Sequence, residues 1–222
     1  MARLARVVIP GVPHHVTQRG NRRQKVFFRD SDYCYYLELL AEWCSKREVE
    51  IWAYCLMPNH VHLVAVPAKQ ECLAGAIGEV HRRYTRRVNF REGWKGYLWQ
   101  GRFASYPMDV SYLLAAARYI ENNPIRAGLA LVPEGYQWSS ARAHLSGRDN
   151  DYVRVAPLLS RVPDWRSFLA RPFNKREADE LRGHSHTGRP LGSDSFIDEL
   201  ESKLGRKLRP QKPGPKIICD IL

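Results

Sequence analysis

Two β-rich segments joined by a very short turn constrain the fold of this chain more than any other feature. Val49 to Leu56 and His60 to Val66 are rich in β-branched and aromatic residues, and Met57-Pro58-Asn59 between them has the composition of a tight turn. Neighbouring strands with so short a connection pair antiparallel. The sequence therefore predicts a β-hairpin, and any larger sheet must be built around it.

Hydrophobic periodicity on either side of the hairpin predicts the element order β-α-β-β-α-β-α. An antiparallel sheet with helices on one face satisfies this order, because the hairpin joins the two middle strands and each helix serves as a crossover. The predicted fold class is therefore α+β, with helices packed on a central antiparallel sheet. Around the hairpin, the predicted elements are a strand at 12–19, helices at 32–48 and 73–88, an interrupted strand at 96–108 and a helix at 111–122.

The pattern weakens beyond about residue 146, which predicts a main domain at 1–145 and a C-terminal extension at 146–222. Short helices are predicted near 174–182 and 195–204, separated by a loop from Gly183 to Asp194 that is rich in Gly, Ser and His. The segment from Gly205 to Lys216 has five Lys or Arg and no acid, which favours an extended basic tail that contacts DNA.

The charge balance points to a polyanionic partner. Thirty-five Lys and Arg against 23 Asp and Glu give a formal net charge of +12, and such an excess favours nucleic acid. No apolar run approaches the roughly 20 residues of a spanning helix, so no membrane partner is expected. Five cysteines without Cys-x-x-Cys spacing indicate the reducing cytoplasm. We expect a cytoplasmic protein associated with the nucleoid.

His60 and His62 are candidate metal ligands. Because side chains of a strand repeat with period two, both imidazoles project from one face and can share an ion, while Val61 and Leu63 point to the opposite, helix-covered face. His-x-His spacing alone is more often structural or incidental. At the start of a hairpin in a strongly basic chain, metal ligation is the better interpretation.

The helix at 111–122 contains a candidate nucleophile. Tyr119 and Asn123 are four residues apart and therefore lie on one helix face with Tyr112. A phenol is a weak nucleophile at neutral pH, so attack on a phosphodiester requires positioning and a divalent ion. Asn123 offers a neutral oxygen to such an ion. The alternative is that Tyr119 is a core aromatic and Asn123 ends the helix before Pro124.

Three blocks of the sequence resemble those of a known family. They are MPNHVHL at 57–63, WQGRF at 99–103 and RYIENNPIRAG at 118–128. Together and in this order they are similar to the single-tyrosine HUH transposases of bacterial insertion sequences, most closely the REP-associated tyrosine transposases. The resemblance covers about residues 7–145, and Thr187 to Gly192 with the following helix looks like the C-terminal region of that family.

The resemblance implies a ferredoxin-like or RRM-like HUH fold and a single-strand DNA endonuclease and strand transferase that acts on repeat hairpins. It implies that His60, His62 and Asn123 bind Mg or Mn. It also implies that Tyr119 attacks DNA, leaving a 5′-phosphotyrosine and a free 3′-hydroxyl. Asn122 remains an alternative third ligand. Tyr112 is the competing nucleophile, although it lies outside the matched block.

Basic residues in several segments are predicted to contact DNA phosphates. The alternative is a merely solvated basic surface. Aromatics such as Trp94, Tyr97 and Trp99, if exposed, can stack on unpaired bases, although most aromatics are core residues and the core interpretation is favoured. The predicted DNA contacts are Arg22, Arg23, Arg82, Arg83, Arg86, Arg87, Arg102, Arg126, Arg206, Lys207 and Arg209.

Two function hypotheses follow from these features. The first is the metal-dependent transposase, acting on single-stranded or hairpin DNA as a monomer or homodimer. The second is a catalytically silent, sequence-specific DNA-binding protein derived from such an enzyme. The histidine pairs His14/His15 and His184/His186 are interpreted as incidental, the latter because a glycine-rich loop gives its side chains no common face.

Overall fold

The computed structural model describes residues 5–172 and 175–210 of the chain. Within them, no helix is long and apolar enough to cross a membrane. The strands are β1 (His14–Arg19), β2 (Val49–Met57), β3 (His60–Pro67) and β4 (Ala104–Pro107). The helices are α1 (Asp30–Lys46), α2 (Cys72–Glu92), α3 (Val110–Glu121), α4 (Asn123–Arg126), α5 (Ala141–Ser146), α6 (Ala156–Leu159), α7 (Trp165–Ala170), α8 (Lys175–Thr187) and α9 (Asp194–Leu204).

The four strands form one antiparallel sheet in the order β2-β3-β1-β4. The hairpin of β2 and β3 is present as predicted, and α1 and α2 are the crossovers that place β1 between β3 and β4. This is the strand order of the ferredoxin-like fold. The predicted α+β class and the element order are confirmed.

Helices cover both faces of the sheet, so the prediction of helices on one face was wrong. Val61 and Leu63 point into a core with α1 and α2, whereas Val64 packs with α3, α7 and α8 on the other face. The reason lies in β3, which is apolar at every position after His62 and therefore has two faces to bury. Only His60 and His62, at the start of β3, place polar side chains on the face toward α3.

The predicted strand at 96–108 is mostly a loop, with only Ala104–Pro107 in β4. Gly96 and Gly101 adopt positive φ values of 91° and 73°, which interrupt an extended backbone. Within residues 96–103 the one bridge joins Trp99 to Gly20, just after β1. Regular pairing with β1 begins only at Ala104.

Two predictions about the C-terminal segment were wrong. Helix α8 extends to Thr187, so the residues predicted as the start of a Gly-rich loop are helical. Residues 205–210 do not extend as a tail, because Leu208 is buried with Leu200 and the N-terminal Val7. The rest of the predicted tail, from residue 211, lies outside the described residues. The division into 1–145 and 146–222 stays a prediction.

A buried carboxylate on α3 joins the sheet to the C-terminal helices. Glu121 is fully buried and accepts hydrogen bonds from Ser140 Oγ, at 2.5 Å, and from Trp165 Nε1, at 2.8 Å. Its Oε1 also lies 2.7 Å from Nδ1 of His144. Three donors from α5, α7 and the residue preceding α5 thus share one acceptor, which fixes α3 relative to these helices.

We expect Glu121→Ala to lower the free energy of unfolding by about 3 kcal/mol or more, because it leaves the buried donors of Trp165 and His144 without an acceptor. Urea unfolding followed by circular dichroism measures the change. Glu42→Ala is the control, since Glu42 forms only an exposed pair with Lys46 and its loss is expected to change stability by less than about 1 kcal/mol. Equal stabilities of the two variants would refute this role of Glu121.

Candidate active site

An open cavity of about 510 Å³ lies where β1 and β3 approach α3 and α8. His60, His62 and Tyr119 all line it, and we call it the histidine–tyrosine cavity. The sheet and α3 therefore bring the two sequence-predicted imidazoles and the predicted nucleophile to one place.

The register of β3 against β1 positions the two histidines. His62 is paired with Thr17 and His60 with Arg19, and both positions share a face because they are two residues apart. The centroids of the two imidazole rings are 5.0 Å apart, with the rings nearly perpendicular. The histidines thus form one cluster at the mouth of the cavity.

Asn59 fixes the orientation of His60. Its amide Nδ2 donates to the carbonyl oxygen of Arg23, so its Oδ1 faces His60 Nδ1 at 2.5 Å. An oxygen at that place accepts a hydrogen bond, so Nδ1 of His60 carries the proton. The lone pair is therefore on Nε2. The tight turn of the hairpin orients the histidine that follows it.

A chain of buried hydrogen bonds fixes the orientation of His62. The hydroxyl of Tyr106 donates to the carbonyl oxygen of Leu181, so it must accept from Nδ1 of His15, 2.7 Å away. His15 Nε2 then accepts from Nδ1 of His62 at 3.0 Å. The lone pair of His62 is left on Nε2. We call this chain from Leu181 to His62 the histidine relay.

Burial keeps these imidazoles neutral. Desolvation is the main cause that lowers the pKa of His60 to about 4 and that of His15 to about 3. It also lowers the pKa of His62 well below its usual range, with further contributions from neighbouring imidazoles and arginines. A neutral imidazole with a fixed lone pair is the form that ligates a metal ion.

Tyr119 lies in the wall of the histidine–tyrosine cavity and is 7% exposed. Its ring packs edge-on against His62, with centroids 5.6 Å apart. The guanidinium of Arg126 lies 4.9 Å from the centroid of the phenol ring. A hydrogen bond to the Tyr119 hydroxyl is the main cause that raises the pKa of Arg182. Two cations therefore flank the phenol.

The competing candidates on α3 are engaged elsewhere. The hydroxyl of Tyr112 donates to Oε2 of Glu180 at 2.9 Å. The amide of Asn122 donates to the carbonyl oxygen of Leu169 at 3.0 Å. These contacts favour Tyr119 over Tyr112 as the nucleophile and the adjacent Asn123 over Asn122 as the metal ligand. Both roles stay predictions.

The donor set decides whether the site fits a metal ion. Asn123 is 8% exposed and lies one helical turn beyond Tyr119, but it is not among the residues that line the histidine–tyrosine cavity. Its Nδ2, which has no hydrogen-bond partner among the described residues, is a donor, so only Oδ1 could ligate a cation. Among the described residues there is no group of three His, Cys, Asp or Glu that could hold a metal. The neutral imidazoles of His60 and His62, which share the cavity, are ligands that suit a divalent ion.

Three of the predicted DNA-contact arginines lie at this cavity. Arg23 and Arg102 line it, and Arg126 contacts the ring of Tyr119. Arg22 is exposed in the same turn as Arg23, and both have positive φ values, of 51° and 62°. Gly20 makes this tight turn possible, because a Cβ there would lie 2.3 Å from the carbonyl oxygen of Gln24.

The remaining predicted contacts lie away from the histidine–tyrosine cavity. Glu79 pairs with two of the α2 arginines. Arg209 pairs with carboxylates of α9, and Arg206 donates to the backbone carbonyl groups of residues 5 and 6. Their DNA contacts stay predictions. The exposed members are Arg82, Arg83, Arg86, Arg87 and Lys207.

Sequence reasoning missed two groups of site residues. His15 was interpreted as incidental, yet it is part of the histidine relay, and its place in β1 two residues before Thr17 puts it on the face of His62. His186 was assigned to a loop, but it lies on α8 and lines the cavity with Arg182. The strand alternation of β1 was a signal for His15, whereas the helix predicted near 174–182 stopped short of His186.

Comparisons with known proteins bear on the family and the fold of the chain. Residues 10–123 match the model of a family described as IS200-like transposases. A solved structure of a REP-associated tyrosine transposase bound to a REP hairpin is 20% identical, with a TM-score of 0.57 over 69% of this chain and 92% of that chain. A Deinococcus radiodurans protein described as a transposase is 19% identical, with a TM-score of 0.38 over 55% and 97% of the two chains. No curated protein sequence matches.

Proposed function

The chain belongs to the family of IS200-like transposases, and we propose that it is a metal-dependent endonuclease and strand transferase of single-stranded DNA. The observation that carries the proposal is the convergence of Tyr119, His60 and His62 on one open cavity. A phenol from a helix and two imidazoles from a strand lie far apart in the sequence. Their common cavity supports a shared role at one phosphate.

We assign His60, His62 and Asn123 as the residues that hold a divalent ion, Mg or Mn. When bound, the ion supplies a Lewis acid that polarises the scissile phosphate. The orientation of His60 by Asn59 and of His62 by the histidine relay supports this assignment, because both leave Nε2 as the ligating atom.

In the proposed reaction, the phenol oxygen of Tyr119 attacks the phosphorus of a backbone phosphodiester. A bond between this oxygen and phosphorus forms while the bond from phosphorus to the 3′ oxygen breaks, leaving a 5′-phosphotyrosine and a 3′-hydroxyl. The phenol proton is lost and the departing 3′ oxygen gains one. Attack by another 3′-hydroxyl reverses the step and rejoins the strands, releasing the tyrosine.

The arginines around the cavity have separate parts in this proposal. Arg182 holds the hydroxyl of Tyr119, and Arg126 lies over its ring, so positive charge lies where the phosphate must approach. Arg23 and Arg102 on the cavity wall suit the flanking phosphates of the strand. They are arranged to position the DNA backbone around the phenol.

We propose single-stranded or hairpin DNA as the substrate. The net charge of +12 favours a polyanion. The structurally similar transposase was solved with a REP hairpin, which supports a hairpin as the first substrate to test. In this proposal residues 1–145 form the nuclease domain, and the C-terminal extension contributes Arg182 and His186 to its cavity.

The nucleophile is tested with Tyr119→Phe. With Mn and a single-stranded hairpin substrate, the wild-type protein is expected to form a covalent protein–DNA adduct that runs more slowly in a denaturing gel. Removing only the phenol oxygen is expected to abolish the adduct. Tyr112→Phe is the matched control, because it removes the competing hydroxyl from the same helix and is expected to leave the adduct unchanged.

Two results would contradict this proposal in different ways. An adduct retained by Tyr119→Phe would show that another residue is the nucleophile. Hairpin binding without any cleavage by the wild-type protein, and without any response to a chelator, would instead identify a catalytically silent DNA-binding protein.

The histidine relay makes a prediction about metal affinity. We expect His15→Ala to weaken Mn binding, measured by calorimetry without DNA, by roughly 10- to 100-fold, because His62 loses the acceptor that fixes its lone pair. Tyr106→Phe removes only the far end of the relay and should have a smaller effect in the same direction. His14→Ala is the control, since this buried neighbour bonds the backbone of residue 12 and does not touch the site. Equal Mn affinity of His15→Ala and the wild type would rule out the positioning role.

A further inference from the structure

A second cavity, of about 530 Å³, lies between α2 and the loop at residues 96–103. It adjoins the histidine–tyrosine cavity, because Gln18 and Arg102 line both. Its volume is within the roughly 300 to 1000 Å³ typical of cavities that hold small organic groups. We call it the aromatic cavity. A strand that enters one cavity would pass directly by the other.

The walls of the aromatic cavity are flat and apolar. Tyr97, Trp99 and Phe103 line it, and Tyr97 is 85% exposed, whereas Trp99 and Phe103 are buried. The guanidinium of Arg6 lies 3.6 Å from the centroid of the Phe103 ring and adds a second planar surface. Aromatic and guanidinium planes of this kind stack on nucleobases.

The polar groups of this cavity suit a base attached to a phosphate backbone. Trp99 is almost fully buried, so it contributes ring surface to the wall and no accessible donor. Arg82 and Arg102 bring positive charge, and no described residue of the lining is an acid.

Gly78 gives an independent indication that the space is kept open. It lies in the middle of α2, where glycine costs about 1 kcal/mol relative to alanine, and its backbone does not have a positive φ that would require glycine. A Cβ at this position would meet no atom within 4 Å. A larger side chain there would enter the cavity, which it lines.

We propose that the aromatic cavity holds one unpaired base of the DNA strand whose phosphate enters the histidine–tyrosine cavity. The inference rests on the proposed function, since that function brings the strand to this place. The base would stack against Tyr97 and Arg6. Arg102, on the wall between the cavities, would contact the backbone that links this base to the scissile phosphate.

The test uses a series of hairpin oligonucleotides with single-stranded flanks, each lacking the base of one flanking nucleotide. Dissociation constants are measured with the full chain by fluorescence anisotropy. For the wild type, we expect removal of the base at one particular position to weaken binding roughly 5- to 100-fold, the range of base stacking on an aromatic side chain. The other positions should change little.

Two variants connect that position to the cavity. Tyr97→Ala removes an exposed wall, and Gly78→Leu fills the space while improving the helix propensity of α2. Both are expected to bind the intact oligonucleotide as weakly as the wild type binds the abasic one, with no additional loss on removal of the base. Phe90→Ala is the matched control, because Phe90 is 92% exposed on the same helix and does not line the cavity. It should behave as the wild type.

The inference is overturned if removal of no single base weakens binding. It is also overturned if Tyr97→Ala and Gly78→Leu lose as much affinity on removal of the base as the wild type does. An RNA of the same sequence that binds more tightly with the same base dependence would overturn the assignment to a DNA strand. The covalent adduct is scored with the same oligonucleotides. If the adduct forms but no single base is required for binding, only the proposal for the aromatic cavity is contradicted. If one base is required but no adduct forms, only the proposed reaction is contradicted.

Discussion

The antiparallel register between β1 and β3 is the constraint on which the rest of this site depends. It pairs His62 with Thr17 and His60 with Arg19, and it brings His15 of β1 within hydrogen-bond distance of His62. A slip by one residue would turn both imidazoles into the core of α1 and α2 and expose Val61 and Leu63. The apolar alternation of β3 therefore fixes the geometry of the histidines as a consequence of core burial.

The same burial determines the chemical state of the site. Moving imidazoles out of water disfavours their charged forms, which lowers the pKa of His60 and His15 far enough to leave both neutral at physiological pH. Neutral imidazoles need their proton placed on one nitrogen, and here Asn59 and the histidine relay place it on Nδ1. The cost of burying these polar groups is offset by satisfied hydrogen bonds. The Nε2 lone pairs of His60 and His62 therefore have a fixed orientation before any ligand binds.

Much of this arrangement was predictable from local patterns. The hairpin, the element order and the shared face of His60 and His62 follow from strand alternation and turn composition, and the structure confirms the fold. Alternation does not reveal which elements cover a face, so helices on both sides of the sheet were missed. The role of His15 depends on a register between strands that are far apart in sequence. The helical place of His186 depends on the packing of α8 against α3 and β4, because its own sequence, with Gly183 and a high polar content, resembles a loop.

Helix α3 combines a reactive face with an anchored one. Tyr119 faces the open cavity, whereas Glu121, two residues later, points away from it and holds the donors of α5 and α7. Residues two apart on a helix face in nearly opposite directions, so the anchor does not occupy the open cavity. An exposed phenol on a frayed helix would sample many positions. Because the buried carboxylate fixes this turn of α3 at its other side, the phenol is held in one place relative to His62, as the proposed attack on a phosphate would require.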